Sequence, residues 1–368
     1  MRTKRVSFLV VFAVSIAALA AVAIVGGAKS AANAAPPALA ATPGPSGYHL
    51  LKKIPLPDEK FENRPFWDYL EFDSSTRRLF ISRSTKVVVV NVDTEKVVGE
   101  VPNTNGVHGI ALAPDLGRGF ASNGHAGTVT IFDLKTLQVI GEVKAGKEPD
   151  AIAYDPFSKR VFTVNADGGD VTVIDAAAGK LAGTVTLTGK DEFTVVDGTG
   201  HVYVNVEDKS ELWQIDSKKL TVTGRWPLAP CQNPSGLAID SQHHRIFAGC
   251  HNKMLAVVDA DSGKVVATPA IGPGVDANRY DPATGFAFSS NGGDGTFTVI
   301  HEDSPNEYSV LENVPTLEGA RTMALDTRSH EVYIVGANYA PLAAPTKDDP
   351  RPRPIPISGT FVVLVFGR

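Results

Sequence analysis

Cysteine is nearly absent from this chain: 368 residues carry two, Cys231 and Cys250. That excludes a disulfide-framework mini-protein and a Cys-rich zinc or iron–sulfur site. A strong positive balance is missing too, since 35 Lys and Arg face 40 Asp and Glu for a formal charge of −5. Sequence-independent tracking of nucleic-acid phosphates rests on clustered cations, so a nucleic-acid partner is not expected. The chain has no Gly-x-Ser-x-Gly, His-Glu-x-x-His, Cys-x-x-Cys or EF-hand loop. The usual marks of a serine-hydrolase elbow, a zincin, a dithiol site and a calcium loop are therefore lacking. After residue 25 no long apolar run follows, so nothing in the body of the chain is expected to span a bilayer.

One long apolar run does exist, Val6–Val25, preceded by Arg2, Lys4 and Arg5 and followed by Ala32-Asn33-Ala34. This order of basic, apolar and small residues is that of a secretory signal over residues 1–34. Its length also suits an uncleaved membrane anchor, which would be the only membrane contact. Either way the folded part is expected to be exported, periplasmic or extracellular. Residues 35–47, rich in Ala and Pro, read as a flexible spacer. Residues 48–368 read as one domain, expected to be a monomer.

What is present in abundance is a repeat. Its clearest copy, Pro149–Val185, reads as four short strands, Asp150–Tyr154, Arg160–Asn165, Asp170–Asp175 and Leu181–Val185, separated by turn-forming clusters. Taking the residue that opens the first turn as a marker gives Asp73, Ala113, Asp155, Asp197, Asp240, Asp281 and Asp326, spaced by 40, 42, 42, 43, 41 and 45 residues. An aromatic follows each marker: Phe80, Phe120, Phe162, Tyr203, Phe247, Phe288 and Tyr333. A period of this length with four strands per unit predicts an all-β, seven-bladed β-propeller, because a blade hides its faces only against its neighbours. The aromatics are expected to fill the space between blades. Third strands ending in Asp93, Asp133, Asp175, Asp216 and Asp259 point to Asp as a turn residue whose carboxylate bonds backbone amides. The seventh unit lacks an outer strand and Tyr48–Leu56 lacks a partner, so pairing that segment with Phe361–Phe366 is expected to close the ring and remove an exposed edge.

The Val-Thr-Val-Ile-Asp of Val171–Asp175, with close versions at Val129–Asp133 and Ala256–Asp259, resembles the YVTN-type repeat of secreted bacterial YncE-like propellers. The resemblance spans roughly Tyr48–Arg368 and implies the same fold. That repeat also builds surface-layer proteins and propeller parts of periplasmic redox enzymes, so it implies little about chemistry. Binding to single-stranded DNA has been attributed to a family member; this chain lacks the basic, aromatic-interleaved surface such binding needs.

In a propeller the loops entering the inner strands and those between the second and third strands share one face at the channel mouth. Five residues before each marker stand Asp68, His108, Asp150, Glu192, Ser235, Asp276 and Arg321. Three residues after the aromatics stand Arg83, Asn123, Asn165, Val206, Cys250, Asn291 and Gly336. The polar members of both sets are the candidate ligand site. Two classes of function fit them. One is a binding protein or interaction scaffold for a small polar ligand or a protein. The other is a metal-dependent hydrolase or lyase, similar to calcium-dependent propeller lactonases, in which Asp150, Glu192, Asp276 and His108 hold a divalent cation. Carboxylates and amides suit calcium; a transition metal would prefer imidazole, from His108, His125 or His251.

Cys231 and Cys250 fall in two loops of one face of the fifth blade, where a disulfide would pin the rim. The alternative is a free thiol beside His251. His243 and His244 lie in a first turn on the opposite face and read as solvated. The Tyr339–Ser358 insertion, with six prolines, reads as an extended loop rising from the mouth face, with three readings: a lid over the mouth, a partner contact through Arg351 and Arg353, or an exposed stiff insertion.

Overall fold

The computed structural model describes residues 45–57, 67–342, 352 and 354–368. The expected signal segment 1–34, most of the 35–47 spacer, and Arg351 and Arg353 lie outside the described residues.

Runs such as Val87–Val90 place β-branched side chains on both faces of a strand, and those side chains are buried. Turn residues break the runs every five to seven residues, so the chain folds back on itself into antiparallel meanders. Seven four-stranded sheets result. Blade three runs Pro149–Asp155, Arg160–Asn165, Asp170–Asp175 and Lys180–Thr186, within a residue or two of the expected strands. The inner strands of successive blades adjoin around the whole ring, blade seven meeting blade one. Among the described residues the helical turns are two 3₁₀ segments, Pro114–Leu116 and Glu207–Lys209.

The ring closes as expected. His49–Pro55 is the outermost strand of blade seven and lies antiparallel to Val362–Gly367, with His49 opposite Gly367 and Pro55 opposite Val362. The repeat aromatics Phe80, Phe120, Phe162, Tyr203, Phe247, Phe288 and Tyr333 are all buried within the sheets. Truncating one such ring to Ala costs about 3–5 kcal/mol in a well-packed core.

Four of the five third-strand Asp residues perform the turn role: Asp133, Asp175, Asp216 and Asp259 each accept backbone amides of the following turn. Blade one departs from this. Its third strand is Lys86–Asn91, Asn91 takes the turn amide of Thr94, and Asp93 instead pairs with Arg77 at 3.1 Å. Blade six departs further, because its third and fourth strands, Thr296–Ser304 and Glu307–Pro315, run nine residues each and extend the hairpin beyond the expected end at His301.

One backbone feature positions the site. In blades one to five the pairing of the first two strands slips near the mouth: Trp67 faces Arg83 but Leu70 faces Ile81, and the same slip recurs at Val107, Pro149, Asp191 and Pro234. Each slip is a β-bulge, which adds one residue to the inner strand and re-aims side chains. Asp68, His108, Asp150, Glu192 and Ser235 sit in these bulges. The inner strands of blades six and seven start later, at Asn278 and Met323, so Asp276 and Arg321 stand ahead of their strands rather than beginning them.

Candidate functional site

Asp68, His108, Asp150, Glu192, Asp276 and Arg321 line one cavity of about 360 Å³ at the channel mouth. Residues from six blades converge there because each bulge or strand entrance turns one side chain toward the axis. The seventh, Ser235, is fully buried and reaches the group through its hydroxyl, which donates to Asp276 Oδ1 at 3.0 Å. His251 also lines the cavity, whereas His125 is exposed and does not.

The side chains form a chain of alternating charge. Arg321 Nε donates to Asp276 Oδ2 at 2.5 Å, and its Nη2 lies 3.5 Å from Asp68 Oδ1. Asp68 Oδ2 is 2.6 Å from His108 Nδ1. His108 in turn has Asp150 Oδ1 at 3.5 Å from Nδ1 and Glu148 Oε1 at 3.5 Å from Nε2. Burial opposes a charge on His108, but the Asp68 bond and the charges of Asp150, Asp68 and Glu148 outweigh it and push its pKa up to about 9. The imidazole is therefore a cation at neutral pH.

The carboxylates face the reverse situation. Burial pushes Asp150 up to about 7, against the attraction of His108 and with added repulsion from Asp68 and Asp276. Burial and the charges of Asp150 and Asp276 hold Glu192 well above the usual range, and Asp276 is raised despite Arg321. Asp150 Oδ1 is buried and accepts no hydrogen bond. Among the described residues the mouth thus keeps a buried acceptor oxygen that no donor fills.

The second predicted set is not brought to the mouth. Asn123, Asn165 and Asn291 are fully buried inside their blades. Their amides donate across the second hairpin, Asn123 to Thr128 and Thr130, Asn165 to Asp170 and Thr172, Asn291 to Thr296 and Thr298. The signal for this was in the sequence, because each Asn is followed at five and seven residues by a hydroxyl or carboxylate residue. Arg83 is buried as well, its guanidinium 3.8 Å from the centre of the Phe361 ring.

Sequence reasoning missed the groups that aim the mouth. Ser82 accepts the Asp68 amide at 2.9 Å and Ser122 the Gly109 amide at 2.8 Å, so second-strand hydroxyls satisfy the bulged backbone. Contacts between blades do the rest. Ser122 donates to the Asp150 carbonyl, Asn205 to the Ser235 carbonyl at 2.6 Å, Ser290 to the Arg321 carbonyl, and Thr322 to the Asp68 carbonyl at 2.7 Å. Tyr69 was missed too. It lines both the mouth and a second axial cavity of about 340 Å³, and it stands edge-on to Phe193 at 5.1 Å as a floor between them. Gly124 completes the wall: a Cβ there would fall 2.7 Å from Glu148 Oε1 and 2.8 Å from His108 Nε2.

At the rim, Cys231 and Cys250 form a disulfide with Cα atoms 5.6 Å apart, so the free-thiol alternative does not apply.

No protein-family model matches the chain, and no curated protein sequence matches it either. Solved structures do. A chain of hydrazine synthase from Kuenenia stuttgartiensis is similar at a TM-score of 0.66 and 16% identity, over 75% of this chain and 94% of that one. U3-55K is similar at 0.69 and 8% identity, over 88% and 99%. The WD40 repeats of RRP9 reach 0.70 and 8% identity, over 89% and 99%. At these identities the likeness is one of fold, and the fold is a seven-bladed β-propeller.

Proposed function

We propose that this chain is an exported binding propeller of the YncE-like kind, whose mouth takes a small ligand carrying an ammonium or similar cationic group. The observation that carries the reading is Asp150, a largely buried carboxylate whose Oδ1 accepts no hydrogen bond and has the His108 imidazole at 3.5 Å, set among Glu192, Asp276 and Asp68. A cationic donor placed there would fill that oxygen and quench the mutual repulsion, and charge-assisted bonds in a partly buried site are the strong ones. The Val171–Asp175 blade phrase supports the family assignment. Export is supported by the Cys231–Cys250 bond, since such bonds persist in oxidising compartments. A protein partner presenting Lys or Arg to the mouth would use the same chemistry.

Calorimetric titration with a panel of small amines near neutral to mildly basic pH tests this. Saturable binding is expected, weakened about tenfold or more, which is ~1.4 kcal/mol, in an Asp150→Asn/Glu192→Gln variant. Failure of every amine to bind the wild-type protein would overturn it.

A second reading, the metal-dependent hydrolase or lyase, draws on Asp68, His108 and Asp150, whose ligand atoms all lie within 4.8 Å of one another. Against it, His108 Nδ1 is already engaged with Asp68 Oδ2 at 2.6 Å. Metal analysis with a thermal shift in chelator, on the wild type and on His108→Ala, separates the two: stoichiometric metal and a chelator-lowered midpoint that are both lost in His108→Ala would favour the enzyme.

A further inference from the structure

On the face opposite the mouth, Asp240 and His243 of the first turn of blade five meet Glu302 of the long hairpin of blade six. Asp240 Oδ2, His243 Nδ1 and Glu302 Oε1 lie within 4.8 Å of one another. His243 Nδ1 is 2.6 Å from Asp240 Oδ2 and 3.1 Å from Glu302 Oε1. Both oxygens are buried, on side chains 1% and 4% exposed, and neither accepts a hydrogen bond. The imidazole is therefore close to both carboxylates without being aligned as a donor to either.

That misalignment sets the cluster apart. Four other His–Asp pairs on this face, His201 with Asp197, His244 with Asp261, His301 with Asp303 and His330 with Asp281, are all aligned hydrogen bonds through Nδ1. Asp240 is also unusual among the marker residues. Asp73, Asp155, Asp281 and Asp326 use both carboxylate oxygens as acceptors in their turns and packing, whereas Asp240 uses Oδ1 alone, for the Gln242 amide at 2.9 Å.

The remaining oxygens are held from behind. Tyr280 donates its hydroxyl to Glu302 Oε2 at 2.5 Å, which leaves Oε1 turned into the cluster. Arg245 clamps the two elements together, with Nε on the Pro305 carbonyl at 2.6 Å, Nη2 on Asn306 Oδ1 at 3.0 Å and Nη1 on the His243 and His244 carbonyls. Its guanidinium, committed there and to Asp259, makes no hydrogen bond to the cluster's carboxylates. Outer partners that orient each ligand are what a metal site requires.

We infer that Asp240, His243 and Glu302 form a divalent transition-metal site of the zinc class, tying the blade-six hairpin to blade five. One imidazole nitrogen and two carboxylate oxygens suit that class. Metal–ligand lengths of about 2.0–2.2 Å put tetrahedral ligands about 3.4 Å apart, so the two imidazole–carboxylate contacts, at 2.6 and 3.1 Å, need to widen by less than about 1 Å. His243 keeps 39% of its side chain exposed, leaving the fourth position open to water or to a ligand atom from outside.

The test uses the full chain, stripped with chelator and titrated with Zn²⁺, then with Co²⁺ as a spectroscopic stand-in. One equivalent of Zn²⁺ should raise the thermal midpoint, and Co²⁺ should give a visible d–d band. Both signals should vanish in His243→Ala, a change on the exposed side of the turn. They should survive in a His108→Ala variant of the mouth. Glu302→Gln, which keeps the Tyr280 contact, should weaken Zn²⁺ at least tenfold with an unchanged far-ultraviolet spectrum. Absence of Zn²⁺ and Co²⁺ binding, or binding that persists in His243→Ala, would overturn the assignment.

Discussion

Asp150 and Asp155 begin and end the same stretch of inner strand, yet they live in opposite circumstances. Asp155 accepts the amides of Phe157 and Ser158 with its two oxygens, whereas Asp150 Oδ1 accepts nothing. Outside the Asp240–His243–Glu302 cluster, the contrast recurs between the two faces. On the turn face, hydrogen bonds from Ser75 and Thr76 overcome the cost of burial and hold Asp73 below the ordinary range. Asp326 is lowered in the same way by Ser329, Ser74, the Arg328 amide and Arg77. At the mouth, burial and repulsion raise Asp150, Glu192 and Asp276. Satisfied carboxylates build the ring, and under-satisfied ones are left to act on something else.

Removing a saturated carboxylate should do the most damage. Asp326 is fully buried, takes Ser74 from blade one at 2.6 Å and pairs with Arg77, so Asp326→Ala cuts a link between blades one and seven, strands the groups that bond the carboxylate and leaves Arg77 only Asp93 and Glu331 as ion-pair partners. Calorimetry should record a loss of roughly 3–5 kcal/mol. A loss no greater than that of an exposed turn residue would break the comparison.

The rim near the mouth is held covalently instead. The disulfide spans 19 residues, for which loop entropy predicts roughly 3 kcal/mol. Cys231→Ala/Cys250→Ala should lower the thermal midpoint accordingly, and reductant should have no effect on the double variant.

Asp150→Asn is expected to have the opposite sign, a gain of about 0.5–2 kcal/mol at mildly basic pH, at the expense of ligand binding. The pH profile sharpens this. Asp150 rises from 3.8 to about 7 on folding, so its contribution is fully present below 3.8 and is lost as pH climbs to about 7. His108, raised from 6.5 to about 9, contributes below 6.5 and loses that contribution through about 9. Asp73 and Asp326, lowered on folding, contribute above 3.8 and lose it as pH falls. Thermal midpoints should therefore be highest in mildly acidic solution, and Asp150→Asn should flatten the limb that Asp150 governs. A wild-type midpoint that stays level across that limb would count against an under-satisfied mouth.

Much of this was legible in the residue order. The period, the repeat aromatics and the turn Asp residues are local or periodic signals, and they placed the third strands to within a residue or two in every blade but the sixth, whose hairpin runs on to Ser304. Six mouth residues were legible for the same reason, since one register position recurs in every blade. Arg83, Asn123, Asn165 and Asn291 were misplaced because the direction of a side chain at a strand end depends on the pleat and on which hydroxyls lie across the hairpin. Glu302 was out of reach, because its approach to Asp240 and His243 depends on how far one hairpin extends past its neighbour.

Asp150 and Asp155 divide in the same way. Covalent order alone determined that Asp stands at both ends of the inner strand, at positions 150 and 155, because the repeat dictates spacing and composition. Only the closed ring decided that one carboxylate would be saturated by its own turn while the other faced like charges from other blades across a common axis, since burial and electrostatic coupling arise between segments that are distant in the chain.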